Sequence, residues 1–448
     1  MSFSSWYNRT LNQIWGFVED RTAMRKWALR PQPDFTFKPS YWTGAFVLNA
    51  FLYQVVSGML LLLYYQPSTN TTLTACGQPI GTQSIAPAAW CSTYYLIHSI
   101  PLGSLLLTSH LYGAYAMIFL MFIHFYRGYY LGVYKAPREF SWMVGTLLLI
   151  TTLGMGFTGY LLPYTQISYN ATNVGLVLAL RLPTVGPLLG PLILADGTTQ
   201  GLLSRMFDAH VLLLPLVLAA LLYAHVALFE SHGIAPPATS DPVQRRRFTE
   251  KEDKQHVPFM PHIFWYITKW GLLYTGLIIG IAALWPWNLP TYVGNLAAAG
   301  VVTEPDWYFL WLFKFLDFAG VTPVLAIGIT TVLIVFELFL PFLDRSKRTH
   351  PRDRPLWIWL ATSLLGFFVV MTVWGGETPG VAIPVTQIAY TIGPIFGVNA
   401  VATLLFHWQY RKSYLRRLAL REARMGGVYS LPSPAAPPGA IPEVKGIE

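Results

Sequence analysis

The chain has 448 residues, 54% of them hydrophobic and only 11% charged, where a soluble protein of this size carries roughly a quarter charged residues. That composition excludes a water-soluble globular domain and defines an integral membrane protein. The formal net charge of +9 has meaning only once the cations are placed along the chain.

The opening segment, residues 1–41, contains "FVEDRTAMRKWALRP". It is mixed in charge, lacks the pattern of a cleavable leader, and is expected to be a cytoplasmic amphipathic segment. A membrane-spanning helix needs about 20 mostly apolar residues. Eight stretches meet that need: 42–65, 105–126, 142–162, 209–230, 263–285, 321–342, 356–374 and 384–408, lettered A to H. With both termini on one side, all but three of the 30 Lys and Arg fall on that side, the exceptions being Arg181, Arg205 and Lys314. The positive-inside rule then puts both termini in the cytoplasm and the protein in the cell membrane. Cation-rich loops such as "RRRFTEKEDK" and "DRSKRTHPRDR" are topology signals, and nucleic acid is not a partner.

The stretch 174–195, "VGLVLALRLPTVGPLLGPLILA", is nearly as apolar as a span but carries Arg181, Pro183, Pro187 and Pro191. A lipid-exposed helix tolerates these poorly, so short helices on the outer surface are expected. Cys76 and Cys91 both fall in the outer A–B loop, where an oxidising environment favours a disulfide. No C-x-x-C-H is present for covalent haem attachment.

Span B carries His110 and His124, and span D carries His210 and His225. A separation of 14 residues is about 21 Å of helix rise and nearly four whole turns, so the first pair shares a face. The 15 residues in span D leave a turn of roughly 60° from alignment. Spans B and D run in the same direction, so His110 matches His210 near the outer face and His124 matches His225 near the inner face. Each level offers two imidazoles and no Cys, Asp or Glu beside them. A closed zinc site would lack ligands, whereas a haem leaves two axial positions and prefers an apolar bundle interior. Gly44 and Gly58 in span A, and Gly145 and Gly159 in span C, repeat the 14-residue interval. They remove side chains that would collide with a ring approaching the backbone. Two haems of b type are therefore expected. A proton-relay transporter without haem is the rival reading, but it would need more carboxylates within the spans.

These features, with "YWTGAFVLNAFLYQVVSGMLLLLYYQP", "GFTGYLLPYTQIS", "LLSRMFDAH", "EPDWYFLWLFKF" and "MTVWGGETP", make the chain resemble cytochrome b, the membrane core of quinol-oxidising bc-type complexes. The fused eight-span chain resembles the respiratory form. The 15-residue interval and the "HGI" after span D resemble the photosynthetic branch, a divergence that points to a prokaryotic source, archaea included. The resemblance implies an all-α membrane protein with an N-terminal four-helix haem-binding bundle (42–230), a cytoplasmic linker (231–262), a C-terminal four-span domain (263–410) and a cytoplasmic tail (411–448).

The resemblance further implies that His110 with His210 hold the outer haem iron and His124 with His225 the inner one. Arg127 and Arg205 match basic residues near haem propionates, while Leu107 stands where the family usually has arginine. Within "PDWY", Pro305 to Tyr308, Asp306 replaces the family's usual glutamate as the acid that takes a proton from quinol, with Tyr308 beside it. The shorter acid leans toward a menaquinol-like substrate. His232, His262 and Lys269 are candidates for the inner quinone site. Implied partners are a Rieske-type iron-sulfur protein, a c-type cytochrome or other acceptor, and a second copy of the chain. Electron transfer between two levels of the bundle would be electrogenic and would build proton-motive force. The remaining alternative is a di-haem anchor for a dehydrogenase or hydrogenase.

Overall fold

A computed structural model describes residues 13–14, 16–22, 28–29, 31–33, 36–71, 76, 86–181, 186–187, 190–191, 198–238, 256–294, 303–346 and 348–424. The "RRRFTEKEDK" loop, the last part of the cytoplasmic tail and most of the opening segment lie outside the described residues.

All eight expected spans are helices, and they are the eight among the described residues long and apolar enough to cross a membrane. In chain order with the shorter helices between them, they are α1 (Thr43–Leu62, span A), α2 (Ala88–Ser99), α3 (Gly103–Tyr130, B), α4 (Glu139–Leu161, C) and α5 (Gln166–Leu180). These are followed by α6 (Thr199–His232, D), α7 (Phe259–Leu284, E), α8 (Trp307–Leu316), α9 (Pro323–Leu343, F), α10 (Pro355–Glu377, G) and α11 (Val385–Arg424, H). In lipid, a helix satisfies its own backbone polar groups, which is why uninterrupted apolar runs resolve into helices. Their outward faces carry exposed Leu52, Met59, Leu216, Leu272, Val332 and Leu404, side chains suited to hydrocarbon.

Helix starts follow ordinary capping chemistry. The Thr165, Thr198 and Thr322 side chains accept from the backbone N–H of Ser168, Gly201 and Leu325, satisfying otherwise orphaned donors. Pro323 occupies the first turn of α9, where a missing N–H costs nothing.

Helix α5 takes up the first part of the proline-rich apolar stretch. At 15 residues it is too short to cross, and its Leu176 packs with Leu161 of α4 and Leu203 of α6 in a cluster at one end of the bundle. Residues 182–185, 188–189 and 192–195 of that stretch lie outside the described residues. At the same end the loops interlock. Trp90 Nε1 donates to the Pro290 carbonyl at 2.8 Å, Thr165 bridges to Tyr292, and Cys76 is disulfide-bonded to Cys91. At the opposite end Pro31–Pro33 pairs antiparallel with His256–Pro258, the one strand pair among the described residues.

Helix α1 packs along α3, α4 along α6, and α9 along α4. The two halves are joined by a buried charge cluster at the end where α3 and α9 finish. The Asp344 carboxylate, fully buried, faces Lys135 Nζ at 2.8 Å and Arg354 Nη1 at 3.2 Å, and accepts from Tyr134 Oη at 2.6 Å. Arg354 also donates to the carbonyls of Tyr129 and Tyr130, at 3.2 and 2.5 Å. Burial alone would push the Asp344 carboxyl up. The hydrogen bonds from Lys135, Ser346 and Tyr134 outweigh it and hold the carboxyl below the ordinary carboxylate value. Breaking a buried ion pair from one side is costly, because the partner charge stays buried. Asp344→Ala is therefore expected to destabilise the fold by about 3–5 kcal/mol, measured as a lowered thermal unfolding midpoint of the purified protein. An unchanged midpoint would show that the cluster does not join the halves.

Candidate functional site

The four histidines form two stacked pairs. His110 of α3 faces His210 of α6 with ring centres 6.5 Å apart, and His124 faces His225 at 6.4 Å; the rings cross at 79° and 78°. The 60° misalignment expected in span D is absent for a definite reason. His210 sits in a π-turn, Ala209–Leu213, whose i→i+5 bonding absorbs one extra residue. Fifteen residues there cover what 14 cover in α3, so both levels close.

Three of the four rings are oriented from behind by a hydrogen bond. Ser57 Oγ lies 2.8 Å from His110 Nδ1 while donating its own proton to the Tyr53 carbonyl at 2.8 Å, so the ring nitrogen is the donor between them. His210 Nδ1 lies 3.0 Å from the Met155 carbonyl, an acceptor only, which again places the proton on Nδ1. Thr43 Oγ1 lies 2.9 Å from His124 Nδ1. His225 Nδ1 is buried without a hydrogen-bond partner. A proton on Nδ1 leaves the Nε2 lone pair for a ligand, as in other metal-binding imidazoles.

What the four glycines face is imidazole. A Cβ on Gly44 would stand 3.1 Å from His124 Cε1, and one on Gly58 3.3 Å from His110 Cε1. On α4, Gly145 and Gly159 stand in the same way against His225 and His210, at 3.2 and 2.6 Å. Each level is thus a layered arrangement of glycine backbone, imidazole, imidazole and glycine backbone across four helices.

These residues can be tested against a six-coordinate iron. A metal–imidazole bond is about 2.0–2.1 Å and a ring centre lies roughly 1.1 Å behind its bonded nitrogen, so rings sharing one ion have centres about 6.3 Å apart. The two separations, 6.5 and 6.4 Å, agree with that sum. Among the described residues no group of three or more His, Cys, Asp or Glu comes together to hold a metal ion. Two-fold axial ligation is what the donor set offers, and it suits a cofactor that supplies its own equatorial nitrogens.

The "PDWY" acid lies beside the outer pair. Asp306 is the N-cap of α8 but makes no cap bond. Its Oδ1 accepts from Tyr115 Oη at 2.5 Å and its Oδ2 from Tyr308 Oη at 2.8 Å. Burial raises the Asp306 carboxyl above the usual carboxylate range, and the two phenol hydrogen bonds pull it partly back. Tyr160 donates to the Glu304 carbonyl at 2.7 Å, fixing the turn before the motif. On one side of the motif lies a cavity of about 190 Å³ lined by Val174, Pro305, Phe313, Lys314 and Gly380. On the other, an open apolar cleft runs between α3 and α7, lined by Tyr112, Tyr115, Phe119, Ile278, Ile281 and Trp307.

Tyr115 and Tyr160 are partners that sequence reasoning missed. Tyr115 follows His110 by five residues, an aromatic hydroxyl in a span, but nothing local shows that a distant loop will meet it. Of the remaining candidates, the Arg127 guanidinium lies 4.7 Å from the Tyr41 ring with its Nε buried and unpartnered, while Arg205 is exposed. His232 Nδ1 bonds the Leu228 carbonyl at 2.8 Å. His262 and Lys269 are exposed, the latter over the Tyr266 ring at 5.0 Å. No hydrogen bond or ion pair joins these three among the described residues.

An eight-span helical bundle with paired imidazoles at two levels defines a polytopic membrane protein of the transmembrane cytochrome class. Comparison with known proteins narrows this. Residues 115–291 match the family model described as cytochrome b(N-terminal)/b6/petB, and residues 295–396 match cytochrome b(C-terminal)/b6/petD. A cytochrome b of Sulfolobus acidocaldarius is 34% identical over 416 residues, 87% of this chain and 70% of that one. The menaquinol:cytochrome c reductase cytochrome b subunit of Geobacillus thermodenitrificans is 34% identical over 240 residues, 51% of this chain and 99% of that one. A chain of a hyperthermophilic respiratory Complex III shares the fold, with TM-score 0.66 and 23% identity over 88% of this chain and 96% of that chain. The chain belongs to the cytochrome b family.

Because the glycines leave room only for the rings, Gly159→Leu is expected to displace His210 and Gly145→Leu to displace His225. Each variant should lose the visible absorbance of its own level and keep the other in a reduced-minus-oxidised spectrum. Loss of both signals, or of neither, would contradict the pairing.

Proposed function

We propose that this chain is the membrane catalytic subunit of a quinol-oxidising bc-type complex, with two haems b held by His110 with His210 and by His124 with His225. The observation that carries the reading is the pair of imidazole levels, closed in α6 by the π-turn at His210. When bound, the two haems supply one-electron transfer between the faces of the membrane. Residues 42–230 form the di-haem bundle, and 263–410 complete the quinone pockets around it.

The chain's own contribution to quinol oxidation is proton handling. Asp306 takes the proton that quinol loses, and Tyr308 and Tyr115 hold its carboxylate in place. The apolar cleft along Tyr115 and Trp307 suits the approach of a menaquinol-like substrate from lipid. The name of the Geobacillus relative as a menaquinol reductase subunit supports that preference. Arg127, half-buried three residues beyond His124, and Arg205, five residues before His210, serve the propionates by charge pairing. His232, His262 and Lys269 are the groups available near the inner quinone. A Rieske-type iron-sulfur protein takes one electron on the outer side, with a c-type cytochrome or another acceptor beyond it. The complex is a dimer in the cell membrane with both termini of this chain cytoplasmic.

Two outcomes test the reading. The purified protein should give two b-type signals, and His110→Ala should remove only the outer one. Should it remove neither, the ligand assignment is wrong. The acceptor role of Asp306 needs the ionised form, so quinol oxidation should rise with pH through a carboxyl value above the ordinary ~3.9. A hydrogen bond to a carboxylate stabilises its charged form, so Tyr308→Phe should raise that value further. The acid limb of the steady-state rate is then expected to move to higher pH, while Asp306→Asn should abolish the limb along with most of the rate. A Tyr308→Phe limb that moves to lower pH would reverse the assignment.

A further inference from the structure

We propose that Glu337, inside α9, is a proton-binding site within the membrane, neutral at rest and exchanging its proton with the end of the bundle where Asp344 lies. Glu337 stands six residues before the end of α9 at Leu343, about 9 Å along the helix axis. Its backbone carbonyl accepts from Trp142 Nε1 of α4 at 2.6 Å, which turns this face of α9 inward. Its Oε2 is buried without a hydrogen-bond partner, and among the described residues no ion pair reaches it. An isolated carboxylate in an apolar interior is expensive and neutralises by taking up a proton, and an ionisable group at membrane depth marks a functional site by default.

The surroundings give the proton a direction. The titratable groups that feel Glu337 are Tyr126 and Tyr129 of α3. The Tyr129 hydroxyl is itself buried and unpartnered. A buried polar atom without a partner calls for a bridging water or a function. Glu337, Leu340 and Asp344 lie at helical spacing on one face of α9, with Leu340 fully buried between the acids. Beyond Tyr129 the charged groups are Asp344 and Arg354, which also act on it. The Tyr129 and Tyr134 rings are 6.0 Å apart, Tyr134 Oη donates to Asp344, and Lys135 connects the cluster to the half-buried Ser346 at 2.7 Å. Phe336, the residue before Glu337, stacks on Trp357 near the start of α10. The polar route therefore leaves Glu337 toward Asp344, away from Asp306 and the outer histidine pair.

The test uses the intact complex and two measurements. Dicyclohexylcarbodiimide reacts with a protonated carboxyl in an apolar site: the acid oxygen adds to the central carbon, the acid proton passes to nitrogen, and the acyl group migrates to give a stable N-acylurea with nothing lost. Peptide mass spectrometry should find this adduct on Glu337, and a charged, water-soluble carbodiimide should leave the residue unmodified. Infrared spectra should contain a protonated-carboxyl carbonyl band that shifts on transfer to D2O and disappears in E337Q; Y129F should slow the shift several-fold. Labelling and D2O exchange need no variant, so failure of E337Q to accumulate leaves the proposal exposed to refutation. Absence of the adduct would overturn a neutral Glu337, and a carbonyl band that does not respond to D2O would overturn exchange with solvent.

Discussion

The structure depends on one contact made four times, an imidazole ring set against a glycine backbone. A membrane interior offers little hydrophobic gain for bringing helices together, since lipid is as apolar as leucine, and close approach through small residues takes over. Here the small residue serves a different end. Gly44, Gly58, Gly145 and Gly159 let the α1 and α4 backbones come within van der Waals reach of the histidine rings. Those contacts, with the hydrogen bonds between Nδ1 atoms and Ser57, Thr43 and the Met155 carbonyl, leave the rings little rotational freedom. Orientation of a ligand by its second set of contacts is what gives a metal site its geometry. The four helices of the first half are thereby fixed in mutual depth and rotation by the same groups that face the cofactor positions.

The two ends of the bundle solve different problems. At the end near His110 and His210, the loops cross-brace one another through Trp90, Tyr292 and the Cys76–Cys91 bond, so that Asp306 is delivered to Tyr115 by a rigid surround. Asp306 forgoes the cap bond that an aspartate at a helix start normally makes, and its oxygens go to phenols instead. At the other end the halves are held by Asp344 between Lys135 and Arg354. Buried ion pairs contribute little net stability relative to apolar packing; what the cluster provides is registry between the α3–α4 loop and the α9–α10 loop.

Much of this was legible in the sequence because the governing quantities are lengths and periods. Apolar runs of about 20 residues give the spans, and the helical period brings His110 and His124 to one face. The exclusion of 174–195 as a span rested on its prolines and arginine, and α5 ends at Leu180 before them. Span D marks the limit of that reasoning. Its 15-residue interval implied a misaligned pair because the period was taken as constant, whereas the π-turn at His210 is a backbone adjustment that becomes visible only when helices are packed. Tyr115 was illegible for another reason: its hydrogen-bond partner is 191 positions away, and no local pattern encodes that meeting. His232, His262 and Lys269 rest on the family resemblance and a place near the loop between spans D and E, and neither says whether they converge.

The buried acids show how one side-chain type is given different charge states by its partners. Asp344 has two cations and two hydroxyl donors, and it is held ionised. Asp306 has two phenols and no cation, so its carboxyl lies above the usual range. Glu337 has no direct partner at Oε2, and the neutral acid is the form its surroundings can accommodate. The order follows from desolvation, which disfavours charge at all three positions and is offset only where donors or cations are supplied. A membrane protein that moves electrons between two levels must keep proton traffic at its two faces apart. Among the described residues no hydrogen bond runs from the Glu337 side chain toward the outer end. On the proposal made for Glu337, its proton leaves toward the Asp344 cluster, at the end of the bundle away from Asp306, so that proton traffic at the two faces stays apart.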